Sequence, residues 1–174
     1  MKNPIQAIIG LGNPGHKFSF NRHNAGFLVL DLLADDLGAS WRSKDNMEIA
    51  QVMINGAKVI LIKPQTFMNS SGTVIPFLIK QGIKAENMLV VHDELELPFG
   101  QIKMKKGGSH KGHNGLKSII GVCGSDFERL KFGIGRPEVK DHVPDYVLHN
   151  FTEPRVEVEA LIHQAVEMIK KMYE

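Results

Sequence analysis

What most constrains this chain is the way its apolar runs end. Five compact polar motifs close them: Gly10-Leu11-Gly12-Asn13-Pro14-Gly15, Arg22-His23-Asn24, Phe67-Met68-Asn69, His92-Asp93-Glu94 and His113-Asn114-Gly115. Ile5–Gly10, Met88–His92 and Arg129–Gly133 are short apolar stretches that read as buried strands, with Gln101–Lys105 a polar, exposed one. Glu48–Ile54 and Lys58–Lys63 flank Asn55-Gly56, a strong signal for a two-residue hairpin. Helical spacing appears over Asn24–Leu37 (Phe27, Leu30, Leu33, Ala34, Leu37), with Gly38 as its C-terminal cap. Ser70–Gln81 reads as a helix ended by Gly82, in which Pro76 must sit early or cause a kink. Asn114–Ile120 is a short helix. The segment Glu153–Met172 closes the chain as an amphipathic helix with Val156, Ala160, Leu161, Ala165, Ile169 and Met172 on one face.

Strands alternating with helices predict an α/β fold, and the hairpin makes its twisted sheet mixed rather than all parallel. The 174 residues form one domain, large enough to bury roughly 70% of the unfolded surface. Gly107–Gly115 and Pro137–Asn150 are the long irregular stretches. No apolar run approaches the roughly 20 residues of a membrane span, and Met1-Lys2-Asn3-Pro4 lacks signal-peptide architecture. A lone cysteine, Cys123, excludes an internal disulfide and suits a reducing compartment, so the expected location is cytoplasmic.

In α/β proteins the carboxyl ends of the strands collect the chemistry. Here they would bring together His23, Asp93, Asn13, Asn69 and Asn114, a set suited to activating water and holding carbonyl oxygens. An imidazole that donates one ring N–H to a carboxylate keeps its other nitrogen free to accept a proton. Each residue also has a plainer reading. His23 fits a surface or capping position, Asn13 fits a turn before Pro14, and Asn69 and Asn114 fit helix caps. An asparagine amide donates and accepts at once, so a cluster of them suits an amide-rich ligand.

Other chemistries fit poorly. Gly10-x-Gly12-x-x-Gly15 matches the glycines of a dinucleotide loop, but no helix opens there and Asp31 falls inside a helix rather than at a strand end. There is no Gly-x-Ser-x-Gly elbow and no phosphate loop. His110-x-x-His113 lacks the spacing and third ligand of a zinc site, and no metal or cofactor is expected. Between Pro98 and Lys117 stand five lysines (Lys103, Lys105, Lys106, Lys111, Lys117) and no acid. That run is either a solvated edge strand or the footprint of a polyanion.

Taken together, six ordered blocks resemble the bacterial-type peptidyl-tRNA hydrolase family: Gly10–Gly15, Arg22–Gly26, Phe67–Gly72, His92–Pro98, Gly107–Leu116 and Gly133–Pro137. The resemblance implies a monomeric, metal-free hydrolase that cleaves the ester between a peptide and the 3′ ribose of tRNA. By motif, His23 would be the general base, Asp93 its orienting partner, and Asn13 a group positioning ester and base. Asn69 and Asn114 would hold peptide carbonyls and the attacking water, with Phe18, Phe67, Met68 and His113 lining the cleft. Lys103, Lys105, Lys106, Lys111 and Arg136 would clamp tRNA phosphates. The chain departs from the family where Phe18 stands for a common Tyr, Asn21 for a frequent Thr and Ser109 for a frequent Gly. Two rivals remain: an RNA-binding protein on the same scaffold, which needs only the basic surface, and an esterase of small acyl compounds, which does not need the lysines.

Overall fold

The computed structural model describes residues 4–174. Met1–Asn3, on which the expectation of no signal peptide partly rests, lie outside the described residues. The chain runs β1 (Ala7–Gly10), α1 (Ala25–Asp36), β2 (Arg42–Lys44), β3 (Met47–Ile54) and β4 (Ala57–Pro64), then α2 (Ile75–Lys80) and β5 (Met88–Glu94). It continues through β6 (Ile102–Lys106), α3 (Asn114–Cys123), β7 (Glu128–Gly133), α4 (Val143–Leu148) and α5 (Arg155–Lys171). Among the described residues no helix is long and apolar enough to cross a membrane.

One seven-stranded sheet in the order β2-β3-β4-β1-β5-β7-β6 organises the fold. Its centre, β4-β1-β5-β7, is parallel, while β2, β3 and β6 join antiparallel at the edges. The sheet is therefore mixed, as the hairpin predicts, and Asn55 and Gly56 take the positive φ (48° and 83°) that a primed turn requires.

Side chains alternate across the pleat and divide the core in two. Ile8 lies in register with Leu61 and Leu89 and faces a layer built on α1 and α5. Ile9, in register with Ile62 and Val90, faces the layer that contains Leu78 of α2 and Ile119 of α3. Both faces of the central strands are covered, which explains their continuous apolar runs.

Several elements differ from expectation, each for a physical reason. The stretch expected as one helix from Ser70 divides into a 3-10 segment, Met68–Val74, and α2, with Pro76 in the first turn where its missing N–H costs nothing. The irregular Pro137–Asn150 stretch contains α4, likewise opened by a proline, Pro144. The short polar strand β2 was not anticipated; it is joined to β3 through a turn with Asp45 at φ 52°. In α5 the buried stripe is Val158, Ile162, Ala165, Val166 and Ile169. Val156, Ala160 and Met172, expected on that face, are exposed, because a stripe anchored on Val158 keeps unbroken three-four spacing and one anchored on Val156 does not.

Candidate active site

The site forms beyond the carboxyl ends of β1, β4 and β5. It begins with a close approach: the first turn of α1 lies directly on the sheet because Gly26 has no side chain. An ideal Cβ there would stand 2.3 Å from the Val91 carbonyl oxygen and 2.4 Å from the Leu11 nitrogen. That contact brings the 3-10 turn Arg22–Asn24 over the strand ends, with all three side chains buried. Asn24 then locks the turn after β1. Its Oδ1 accepts from the Asn13 N–H at 2.9 Å and its Nδ2 donates to the Asn13 carbonyl at 3.0 Å. Asn13 Oδ1 in turn accepts from the Met68 N–H at 2.7 Å, joining the turn after β1 to the segment after β4. The Oδ1 assignment follows from that donor, so the Asn13 amide group that remains for a ligand is Nδ2, a donor.

At the centre, Asp93 near the end of β5 receives two imidazoles. His23 Nδ1 lies 2.9 and 3.0 Å from the two carboxylate oxygens, and His113 Nε2 lies 2.8 Å from Oδ1. The far nitrogens decide the tautomers. His113 is the N-cap of α3, and its Nδ1 accepts from the N–H groups of Gly115 (3.1 Å) and Leu116 (3.4 Å). Its proton therefore sits on Nε2 and is donated to Asp93. His23 donates from Nδ1, which leaves the Nε2 lone pair, and that nitrogen has no hydrogen-bond partner among the described residues. Burial would push the Asp93 carboxyl up, but the charge and hydrogen bonds of His23 and His113 outweigh it and hold it far below the usual carboxylate range.

His92, also buried on β5, donates from Nδ1 to the Asp93 carbonyl at 2.8 Å and packs edge-on against His113, with ring centroids 5.3 Å apart. Desolvation, with a smaller contribution from His113, lowers its pKa from 6.5 to about 3, so it stays neutral. Its Nε2 is buried without a partner.

Two hollows meet at His23. One is lined by Asn13, Phe18, Phe67, Met68, Asn69 and Asn114 with Pro144, Val147 and Leu148 of α4. Asn69 and Asn114 are exposed, and neither caps a helix: Phe67 and His113 occupy those N-cap positions. The plain capping reading of these asparagines thus does not hold. The other hollow runs past Asp93, His92 and His113 to Lys111, Arg129, Lys131, Arg136 and Lys140. The expected site residues His23, Asp93, Asn13, Asn69, Asn114, Phe18, Phe67, Met68 and His113 accordingly stand around one cleft.

The basic residues are divided. Lys111 and Arg136 line the second hollow, where Arg136 also bonds Glu96. Lys103 and Lys105 are exposed on edge strand β6, on the sheet face they share with Lys131 and Arg129 of β7. Lys106 points to the opposite face and lies 3.8 Å from Asp126. Sequence reasoning missed several contributors. Arg129 is buried and holds the glycine-rich loop through the carbonyls of Gly108 (2.5 Å) and Ser109 (2.8 Å). Lys131 and Lys140 were also missed, with the alternation of charge along β7 the signal for the first, while Arg22 stood in the Arg22-His23-Asn24 motif without a role.

His23, Asp93 and His113 are the one group among the described residues whose ligand atoms, all within 4.8 Å, approach the spacing of a metal site. Both ring nitrogens already give their protons to the carboxylate, so an ion would have to displace both.

Residues 7–174 match the family described as peptidyl-tRNA hydrolase. A peptidyl-tRNA hydrolase of Fervidobacterium nodosum is 46% identical over 169 residues, covering 96% of this chain and 88% of that protein. One from Rickettsia africae is 42% identical over 165 residues, covering 93% and 88%. The crystal structure of peptidyl-tRNA hydrolase from Acinetobacter baumannii has a TM-score of 0.92 at 38% identity, covering 98% of this chain and 89% of that one.

Proposed function

The chain belongs to the peptidyl-tRNA hydrolase family, a family of hydrolases, and from that premise we propose that it cleaves the ester joining a peptide or N-blocked amino acid to the 3′ ribose of tRNA. The observation that carries the mechanism is the His23 Nδ1 contact to the Asp93 carboxylate at 2.9 Å, with Nε2 left over beside the asparagine-lined hollow. His23 Nε2 takes a proton from water as the water oxygen attacks the ester carbonyl carbon. Asp93, held ionised, stabilises the imidazolium that forms. The tetrahedral intermediate then collapses, the bond to the ribose oxygen breaks, and His23 returns its proton to that oxygen. The products are a free peptide carboxyl group and tRNA with its 3′ hydroxyl restored, ready for recycling.

Because the ester is already activated, orientation and a few amide donors suffice and no metal is invoked. Asn13 Nδ2 donates toward the ester and the base. Asn69 and Asn114 hold peptide carbonyls and the attacking water. Phe18, Phe67 and Met68 form the apolar wall, and His113 fixes Asp93 from behind. Recognition through backbone amides admits many peptide sequences, while the charged amine of a free aminoacyl ester is poorly received. Lys103, Lys105, Lys111 and Arg136 meet tRNA phosphates, whereas Lys106, on the other face of the sheet beside Asp126, is left out of the clamp. The enzyme works as a monomer in the cytoplasm.

The test is hydrolysis of N-blocked against free aminoacyl-tRNA in excess chelator, by wild type and His23→Ala. Cleavage confined to the blocked ester, lost in the variant and indifferent to chelator, is expected. A folded wild-type protein that binds tRNA without cleaving it would return the chain to the RNA-binding reading.

A further inference from the structure

Arg22 precedes the proposed base by one residue, and the mechanism gives it no task. It is buried at 5% exposure, yet its guanidinium meets neutral oxygens: Nη1 donates to the Tyr146 carbonyl at 2.9 Å and Nη2 to Thr152 Oγ1 at 3.3 Å. Its Cζ lies 3.9 Å from the centre of the Tyr146 ring. Nε is buried with no partner at all. An ionised side chain held this way is costly to bury, which is a poor way to fill space and a good way to grip something.

What it grips is α4. That helix has six residues and a single fully buried one, Val147, with Val143 and Tyr146 half-buried against the same core layer. Polar ties add to that modest apolar contact. Arg22 bonds a carbonyl in its last turn, where a cation also suits the helix dipole, and stacks on Tyr146. Tyr146 reaches across to the Ile134 carbonyl through its hydroxyl at 2.6 Å. The chain after α4 is laced to the segment before the base: the Arg22 N–H donates to His149 O at 3.0 Å and the Phe151 N–H to Phe20 O at 3.2 Å. Asn21 and Asn150 pair as an isolated bridge. Meanwhile Pro144 and Val147 form a wall common to both hollows that meet at His23.

We propose that Arg22 is a positioning residue that pins α4 as the wall of the cleft, so that the width of the substrate channel is set from the same turn that carries the base. The consequence for substrate rests on the ester-hydrolysis reading above; the pinning itself does not.

Two measurements on the full chain separate them. Amide hydrogen exchange of residues 143–152 is compared with that of β5 in wild type, Arg22→Met and Arg22→Lys. Removing the clamp should speed exchange over 143–152 by at least about tenfold and leave β5 unchanged, with Arg22→Lys intermediate because an ammonium reaches one acceptor. On N-blocked aminoacyl-tRNA, KM should rise about tenfold while kcat changes less than about threefold. Unchanged protection of 143–152, or equal acceleration in β5, overturns the pinning. Looser α4 with an unaltered KM overturns its role in substrate fit. If wild type cleaves nothing, only the ester reading fails and the exchange result stands. Should Arg22→Met not fold, Arg22→Lys carries the same comparison.

Discussion

His23 and His113 face the same carboxylate in opposite tautomers, each fixed by what happens on its other side. For His113 the fixing bonds come from the amide groups of Gly115 and Leu116 at the start of α3. For His23 the carboxylate itself is the fixing partner, so Asp93→Asn is the informative change. An amide that turns its NH2 toward His23 Nδ1 makes that nitrogen an acceptor and drives the proton to Nε2, which removes the base. Single-turnover hydrolysis should fall about 10² to 10⁴-fold while the thermal midpoint at neutral pH moves little by comparison. His92 supplies a second test, of stability. Its folded pKa of about 3 lies below the ordinary 6.5, so between those values the unfolded chain binds a proton that the native chain refuses. Stability is unaffected above about pH 6.5 and declines as pH falls toward about 3. His92→Asn, which keeps a donor for the Asp93 carbonyl and cannot titrate, should flatten the decline of the urea midpoint across that window. A decline as steep as in wild type would remove His92 as its source. At this scale Asp93 was legible because it sits where an apolar run stops, and His23 because it stands in the polar motif just before the first helical pattern. The tautomer lock was not, because the N-cap of α3 reads equally well as Asn114, and only the position of β5 beneath the loop selects His113.

Elements were legible where one face of a period dominates and obscure where prolines or polar residues interrupt it. Gly38, Gly82 and Asn55-Gly56 marked real boundaries, since each holds a backbone conformation that ordinary side chains resist. Pro144 lies in a stretch that reads as irregular, yet it opens α4, because a proline in the first helical turn loses no hydrogen bond. The stripe of α5 came out rotated because the expected face was anchored on Val156, whereas the unbroken three-four series starts at Val158 and packs in the core layer shared with α1. The same close packing gives a graded prediction for α1 and α3. A Cβ on residue 26 meets backbone, which cannot retreat. One on residue 115 meets Met68 Sδ at 2.6 Å and Leu11 Cδ1 at 2.8 Å, both ends of flexible side chains. Gly26→Ala should therefore cost at least about 1–3 kcal/mol and Gly115→Ala less, read from urea midpoints at constant slope. Equal costs would mean that α1 shifts off the sheet as easily as a methionine turns.

Across the whole molecule, a formal charge of +2 conceals a strong local asymmetry, and topology rather than composition creates it. Strand β7 enters the sheet between β5 and β6, so Arg129 and Lys131 come to share a face with Lys105 and Lys103 beside the loop that carries Lys111. Sequence order alone hides this, because β6 and β7 are separated by α3. If that face receives tRNA phosphates, about three contacts give a log–log slope of kcat/KM against salt of about −2 to −3. The geometry then ranks the lysines. Lys103 and Lys105 are exposed on the shared face, and each change to Ala should reduce the magnitude of the slope by about 1. Lys106 points the other way with Asp126 at 3.8 Å, so Lys106→Ala should alter the slope little. Hydrolysis of a small N-blocked amino-acid ester, which carries no phosphates, should respond to none of the three. A slope indifferent to Lys103 and Lys105 but lowered by Lys111→Ala would move the phosphates into the hollow beside His113. The acceptor end would then lie across the glycine-rich loop, and edge strand β6 would keep only the task of discouraging sheet-to-sheet pairing.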